Sequence, residues 1–476
     1  ACTEPDASPD TFKKISDRVY MYYFPANMAG VTTLKVKGQA GTRIEVQHGE
    51  ILKADSTLEV RNVNIYYRTG GDATFQQDVY ILRGDDCGEE FTPRFHYNGF
   101  QYVEVRADRP VELDENSLQA HFLSTDMAQI GSFNSSNELM NKIWHAVCRS
   151  YQSNYHGIPT DCPHREKNGW TADAHISMDI ALMNFDAIRS YEKWIDDYVD
   201  NQREDGYISG IVPSSGWGYG DWPGPVWDAA MFIIPDKLYE YYGDIRAIET
   251  IYPVAERYLE MQHKRENEDG VVDEFMKGIG DWCYYRTYTP QDFVSACYYY
   301  YQHKLMTRFA EMLGKEKKKY ATKTEQLRNY INDKYLNRET GAYSIAKITA
   351  QALPLALDIV PKDMEKLVAA RLNEAVVASD YLCDYGLIGS KYALRMLVKY
   401  GYVDTAYKLA TQTKLPSYGY WVEKGYTTPL ERWFLGKAPH FDGASSANHV
   451  FFGDVAAWMQ SDIAGINCDP EKPGFE

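Results

Sequence analysis

The chain has 476 residues, with 67 Asp and Glu against 50 Lys and Arg, a net charge of −17, and 44% hydrophobic residues. An acidic balance of this size excludes sequence-independent nucleic-acid binding, which needs a basic footprint, and adhesion to an anionic membrane surface. The hydrophobic share supports a large core and excludes intrinsic disorder. The 39 Tyr, 18 Phe and 10 Trp suit core packing, and they also suit sugar binding, where an apolar face meets a polar tip.

Residues 18 to about 125 read as strands. Val31, Leu34 and Val36 lead into a Gly-rich turn at 38–41, and Ile44 and Val46 alternate with polar neighbours. Further short strands are expected at 56–67, 78–82, 100–105 and 118–123, punctuated by Gly70-Gly71 and Gly84-Asp85-Asp86. Strands at this spacing predict an antiparallel β-sandwich over residues 1–130. The pattern changes near residue 132. Ser135, with Glu138 three residues on, reads as a capping box, and Leu139, Ile143, Trp144, Val147 and Tyr151 recur at helical spacing. Helices then follow one another, among them 188–199, 247–262, 296–313, 323–336, 390–399 and 404–411. About 28 residues per helix and loop suits six helical hairpins over 131–476, an (α/α)6 barrel, although the same arithmetic suits another large α-domain. The chain is thus expected to be mainly α.

The eight cysteines are scattered without a C-x-x-C pair, so neither a zinc ribbon nor a thioredoxin motif is supported. A few disulfides stay open. No apolar run approaches the ~20 residues of a membrane span. Ala1-Cys2 before a polar stretch is compatible with a processed lipoprotein site; the alternative, that Cys2 lies inside a longer protein, is preferred for that dipeptide. A periplasmic or secreted location is expected over a cytoplasmic one.

Walker A, H-E-x-x-H and G-x-S-x-G patterns are missing. One stretch concentrates chemistry instead. Asp161-Cys162-Pro163-His164-Arg165-Glu166 and Gly169-Trp170-Thr171-Ala172-Asp173 crowd three carboxylates, an Arg, a His and a Trp into a link between two helices. Loops on a rigid scaffold are where catalytic groups tend to sit, although composition alone favours a solvated loop with ordinary surface charges. His164-x-Glu166 lacks partners at ligand spacing, so no metal is expected. A second cluster joins Thr427-Thr428-Pro429-Leu430-Glu431-Arg432-Trp433 to Ser445, Asn448 and His449. A third is aromatic and acidic: Trp217, Asp221, Trp222, Trp227 and Asp228, then Gly280-Asp281-Trp282. Three Trp–Asp associations on separate loops read as a sugar pocket.

These motifs resemble the inverting α-L-rhamnosidases of glycoside hydrolase family 78. The stretch 161–173 is similar to that family's signature, and 427–433 with Asn448-His449 to its closing segment. Weaker echoes lie at Asn27-Met28-Ala29-Gly30, Gly41-Thr42-Arg43-Ile44, His48-Gly49-Glu50 and Pro93-Arg94-Phe95. The resemblance implies an N-terminal β-domain, a catalytic (α/α)6 barrel, no cofactor, and a rhamnose-containing carbohydrate as substrate. It also implies that Glu166 is the general acid and Glu431 the general base. Asp161 and Asp173 match carboxylates that hold sugar hydroxyls. Arg165, Trp170, Trp227, Asp281, Trp282 and His449 match pocket residues. The segment 165–170 is one residue shorter than in many relatives, and Pro429-Leu430 replaces a more usual apolar-Trp pair; both bear on the linkage accepted.

On this reading Glu166 protonates the leaving oxygen while Glu431 activates a water on the opposite face, the pair standing about 6.5–9.5 Å apart. Asp161 and Asp173 are expected to raise the Glu166 pKa, since neighbouring negative charge disfavours ionisation; an inward-pointing Arg165 would oppose them. The competing readings are another (α/α)6-barrel glycosidase, and a non-catalytic carbohydrate-binding relative. A purely structural helical scaffold leaves the 161–173 cluster unexplained.

Overall fold

A computed structural model describes residues 7–64, 75–220, 224–272, 278–436, 445–469 and 472–474. The chain opens with β1 (Thr11–Lys14), β2 (Val19–Val36), β3 (Arg43–Gly49), β4 (Ile51–Leu52) and β5 (Leu58–Glu59). A single turn, α1 (Arg61–Asn64), precedes β6 (Gln77–Ile81), β7 (Glu89–Phe91), β8 (Asn98–Ala107) and β9 (Leu118–Phe122). All but β4 and β5 join one antiparallel sheet, ordered β1-β2-β8-β3-β6, with β7 and β9 also paired to β2. Alternation along the strands explains the core: Tyr20, Tyr22 and Phe24 of β2 meet Ile44, Val46, Val103 and Val105. The Tyr22 hydroxyl reaches the rim of that core and donates to Asp114 O at 2.9 Å, so its ring is buried without stranding the polar tip.

β2 is long because it changes partners. Its register against β8 shifts between Tyr23 and Met28. Pro25 sits in that gap and has no N–H to give a ladder. Beyond it, β2 pairs with β9, Gly30 opposite Phe122 and Leu34 opposite Leu118. The strands expected at 78–82, 100–105 and 118–123 are present within two residues. The one expected at 56–67 is not: only β5 is extended, α1 follows, and Tyr66 and Tyr67 lie outside the described residues. Gly70-Gly71 and Cys2 lie outside them too.

The helices are α2 (Glu138–Ser153), α3 (Thr171–Asn184), α4 (Ile188–Asn201), α5 (Gly224–Asp228), α6 (Ala230–Tyr242), α7 (Arg246–His263), α8 (Gln291–Met312) and α9 (Lys318–Tyr335). A small hairpin, β10 (Leu336–Asn337) and β11 (Ala342–Tyr343), intervenes. There follow α10 (Ile348–Ala356), α11 (Glu365–Ala378), α12 (Leu387–Lys399), α13 (Val403–Ala410), α14 (Tyr418–Glu423) and α15 (Asp454–Trp458), which runs on into a π-helical turn, Met459–Ile463. The expected capping box is displaced. The Asn137 side chain accepts from the Leu139 N–H at 3.0 Å, while Ser135 Oγ accepts from Asn137 N–H, so Asn137 caps α2.

The chain resolves into two compact units. One gathers 1–127, 145–167 and 421–450; the other gathers 128–144, 168–420 and 451–476. The first therefore takes two segments from beyond the sheet, those that carry Glu166 and Glu431. In the second, α3 packs on α6, α6 on α8, α8 on α10, α10 on α12, α12 on α15, and α15 returns to α3. Every residue of α3 except Met183 is buried, as a helix enclosed on all sides requires. Outside this circuit α4 buries only Tyr191, Trp194, Ile195 and Tyr198, one helical stripe. Charges buried in the circuit are paired: Lys391 of α12 contacts Asp179 of α3 and Asp454 of α15, and Arg395 donates to Asp454 at 2.8 Å. The seven described cysteines are free thiols. Among the described residues no helix is long and apolar enough to cross a membrane.

Candidate active site

In the first unit the 161–167 segment follows α2 and lies against the sheet. Asn154 O accepts from the Thr160 N–H at 2.7 Å, which turns the chain after the helix. Gly99 of β8 then permits a close approach: a Cβ there would stand 2.6 Å from His164 N and 2.7 Å from Pro163 C. Lys167 closes the segment in a left-handed conformation, φ 53°. Its Nζ lies over the Tyr97 ring, 4.2 Å from the centroid, and donates to Tyr97 O. Glu166 is thus delivered between two anchored residues.

Arg165 turns inward and is buried. Its Nη2 donates to Glu431 Oε2 at 2.9 Å, and its Nη1 to Asn62 O at 3.4 Å. Its Nε is 3.5 Å from Glu166 Oε1, an ion-pair distance longer than an ordinary hydrogen bond. One guanidinium therefore touches both carboxylates and binds Glu431 the more tightly. The Glu166 side chain is partly accessible, at 11%, whereas Glu431 and Arg165 are buried.

Glu431 sits where two stretches run side by side. Its N–H donates to Ser446 O at 3.0 Å, and His449 N–H donates to Pro429 O at 2.9 Å. In return Glu431 Oε2 accepts from Ser446 N–H at 2.9 Å and Ser445 Oγ at 3.2 Å. Burial pushes the Glu431 carboxyl upward, but Arg165, His449 and the Ser446 N–H outweigh it and hold it at about 2. Asn448 is fixed by Ser150 Oγ at 2.8 Å, which sets the backbone carrying His449.

Asp161, Cys162 and His449 are buried, and each offers a donor atom within 4.8 Å of the others. This carboxylate, thiol and imidazole set is the group among the described residues that could hold a metal ion. Burial and the adjacent Asp161 push the Cys162 thiol well up, which works against its acting as a thiolate ligand. His164, beside Arg165 and His449, is driven well below its usual range by burial and stays neutral.

The remaining expected residues fall in the second unit. Trp170 precedes α3 and pairs with Ile211, while Thr171 N–H donates to Gly210 O at 3.0 Å. Its ring lies 5.4 Å from that of Trp217. Asp173 is buried in the first turn of α3, the positive end of the helix. Trp227 is buried in α5, and its backbone O accepts from Thr171 Oγ1 at 2.9 Å. Among the described residues Trp217 and Trp282 are the open indoles, 43% and 36% exposed. Asp281 is engaged elsewhere than a pocket: it accepts from Thr349 Oγ1 at 2.6 Å and from the N–H groups of Gly386, Ile388 and Gly389 at 3.0, 2.8 and 3.3 Å. It serves as a remote cap for α12. Asp221 and Trp222 lie outside the described residues.

Sequence reasoning missed Glu50, Asn27 and Asn62, which surround the Arg165–Glu431 pair from the sheet side. Glu50 and Asn27 stood only in weak motif echoes. A charged residue directly after a strand reads as solvated, and nothing local reports that both its neighbours and a distant loop bury it.

Residues 128–463 match the model of the bacterial alpha-L-rhamnosidase six-hairpin glycosidase domain, and 13–124 the bacterial alpha-L-rhamnosidase concanavalin-like domain. An alpha-L-rhamnosidase of Streptomyces avermitilis is 30% identical over 465 residues, covering 96% of this chain and 43% of the relative. One of Formosa agariphila is 28% identical over 501 residues, covering 99% and 51%. Among solved structures, the alpha-L-rhamnosidase from Dictyoglumus thermophilum is 33% identical with a TM-score of 0.87, covering 96% of this chain and 51% of that one. The Streptomyces avermitilis enzyme complexed with L-rhamnose is 28% identical with a TM-score of 0.88, covering 98% and 44%. The chain spans about half the length of the curated relatives it matches. With the glycosidase-domain model matched over 128–463, well over half its length, this chain belongs to the bacterial α-L-rhamnosidase family.

Proposed function

We propose that the chain hydrolyses terminal α-L-rhamnosides with inversion at the anomeric carbon. Glu166 is the acid and Glu431 the base. The observation that carries this is Arg165, whose Nη2 holds Glu431 at 2.9 Å while its Nε stands 3.5 Å from Glu166. Environments that push two carboxyl groups apart assign their roles. Glu431, held at about 2, is ionised at any working pH and suited to take a proton from water. Among the described residues its donors converge on Oε2, so Oε1 is the oxygen offered to that water. Given the ~2.3 Å between Nε and Nη2 of a planar guanidinium, the two flanking oxygens stand no more than about 9 Å apart, a bound that admits both the about 6.5–9.5 Å of an inverting pair and the about 5–5.5 Å of a retaining one, so inversion rests on the family resemblance.

In the proposed reaction Glu166 protonates the glycosidic oxygen as its bond to the anomeric carbon breaks. Water attacks from the opposite face and passes its proton to Glu431. Asp161 grips the sugar hydroxyls, with Arg165 and His449 beside it in the same unit; Asp173, Trp170, Trp227 and Trp282 are sugar contacts by the family resemblance alone. Burying the C6 methyl of rhamnose against indole contributes on the order of 1 kcal/mol. The boundary near residue 130 is supported by family-model matches at 13–124 and 128–463. The helix circuit of the second unit supports the (α/α)6 barrel, and the concanavalin-like match supports the sandwich.

Glu166→Gln and Glu431→Gln, assayed on an aryl α-L-rhamnoside, test the roles; near-wild-type turnover in either sinks the assignment. NMR of the first-formed anomer tests inversion, and retention of configuration would point to a covalent nucleophile. Preference for another glycoside in an aryl-glycoside panel would favour a different glycosidase specificity.

A further inference from the structure

A third buried carboxylate, Glu50, lies behind the Arg165–Glu431 pair, and the proposed chemistry does not use it. It follows β3 directly. Its Oε1 accepts from Asn27 Nδ2 at 3.1 Å, and its Oε2 from Ala447 N–H at 2.9 Å and Asn62 Nδ2 at 3.3 Å. His164 Nδ1 stands 3.5 Å from Oε2.

Each partner is one step from the reacting groups. Ala447 follows Ser446, whose N–H holds Glu431 Oε2 at 2.9 Å. Successive amides of one segment thus bind Glu431 and Glu50. Asn62 donates to Ser445 O at 3.3 Å and offers its own carbonyl to Arg165 Nη1 at 3.4 Å. Asn27 donates through Nδ2 to Ala447 O at 3.3 Å and through its N–H to Thr427 Oγ1 at 2.8 Å. His164 precedes Arg165 in the chain. The carboxylate of Glu50 is the group on which these links converge.

We propose that Glu50 is a positioning residue, which from the N-terminal sheet fixes the 445–447 segment and Asn62 and so sets Arg165 and Glu431 in their working geometry. The role rests on the reading of Glu431 as the base. Packing alone is a poor explanation for a carboxylate at this place. Burial pushes Glu50 up to about 7, against the pull of the Ala447 N–H, Asn27, Arg165 and His449, and a neutral side chain of similar shape avoids that penalty. What a neutral side chain cannot do is accept three N–H donors at once. Glutamine offers one oxygen, and its NH2 confronts the donors of Asn27 or of Asn62 and Ala447.

The test compares Glu50→Gln, Glu50→Asp and Asn62→Ala with the wild type, by kcat and KM on an aryl α-L-rhamnoside and by amide hydrogen exchange over 445–449. Glu50→Gln is expected to lower kcat roughly 10- to 100-fold with KM within about twofold, the signature of a displaced reacting group. It is also expected to speed exchange at 445–449 while the rest of the chain keeps wild-type protection. Glu50→Asp restores part of kcat. Wild-type kcat in Glu50→Gln, or a rise in KM with kcat kept, overturns the proposal. Should Glu50→Gln not fold, Asn62→Ala carries the test, because it breaks the link without touching a carboxylate; wild-type kcat there overturns it. A wild type that cleaves no rhamnoside refutes the functional reading instead, and exchange at 445–449 then decides Glu50: unchanged protection in Glu50→Gln overturns its positioning role.

Discussion

Replacing Arg165 with Met removes the cation and keeps the apolar stem. Glu431 is held at about 2, against an ordinary 4.5. At ~1.4 kcal/mol per pH unit, the difference corresponds to about 3 kcal/mol in favour of the ionised carboxylate, the proposed base. Burial acts against that preference, and Arg165 is the strongest influence overcoming it, ahead of His449 and the Ser446 N–H. The sign follows. A carboxylate with a depressed folded value stabilises the protein above the unfolded value, near 4.5, and loses that contribution as pH falls through about 2. In Arg165→Met the burial remains and its main counterweight is gone, so the base is expected to titrate at or above the ordinary glutamate value. The assay is the ratio of wild-type to variant kcat on an aryl α-L-rhamnoside from about pH 4 to 7, in which any titration common to both enzymes cancels. The ratio should be level near neutrality and climb by roughly tenfold per unit below the new titration point. Breaking a buried pair also destabilises by about 3–5 kcal/mol, so a melt must first show that the variant is folded. A ratio that stays flat down to about pH 4 refutes the argument that Arg165 keeps the base ionised.

Gly99→Ala places a Cβ 2.6 Å from His164 N and 2.7 Å from Pro163 C. Backbone atoms cannot yield as a flexible side chain can, so the loop carrying Arg165 and Glu166 must shift, and kcat should fall roughly tenfold or more; wild-type kcat in a folded Gly99→Ala would count against the close approach. Asp281→Ala should lower the melting temperature, since it strands Thr349 and the first amides of α12, a loss of at least ~2 kcal/mol. Trp282→Ala, at a side chain 36% exposed, should leave stability nearly intact and raise KM several-fold. Reversal of those two outcomes, with Asp281→Ala stable and Trp282→Ala unfolding, would mean that the sugar contact and the structural cap have been exchanged.

The order of elements was legible along the chain because it is written in local periodicity. Val31, Leu34 and Val36 alternate as a strand must, and Tyr191, Trp194, Ile195 and Tyr198 recur as a helix face must. The 161–173 stretch was legible because carboxylates, Arg and Trp between helices are unusual within so short a span. The strand expected at 56–67 failed for a related reason: hydrophobic alternation there competes with a turn that only the neighbouring segments select.

Which of these groups meet was a tertiary matter. Arg165 lies beside Glu166 in sequence, but 266 positions from Glu431, its nearer partner; no pattern of spacing encodes a guanidinium that turns inward. Asp281 stood next to Trp282 as a candidate sugar contact, and folding directs its carboxylate to the amides of α12, about a hundred residues on. Glu50 looked like one more of the 67 acidic side chains. Local sequence fixes strand, helix and residue chemistry, because those depend on neighbours a few positions away. The aromatic composition was compatible with a sugar ligand and also with ordinary core packing. Only the folded chain decides which carboxylates lose their water and gain a partner, and that loss and gain set which can donate a proton, which must stay charged and which holds the others in place.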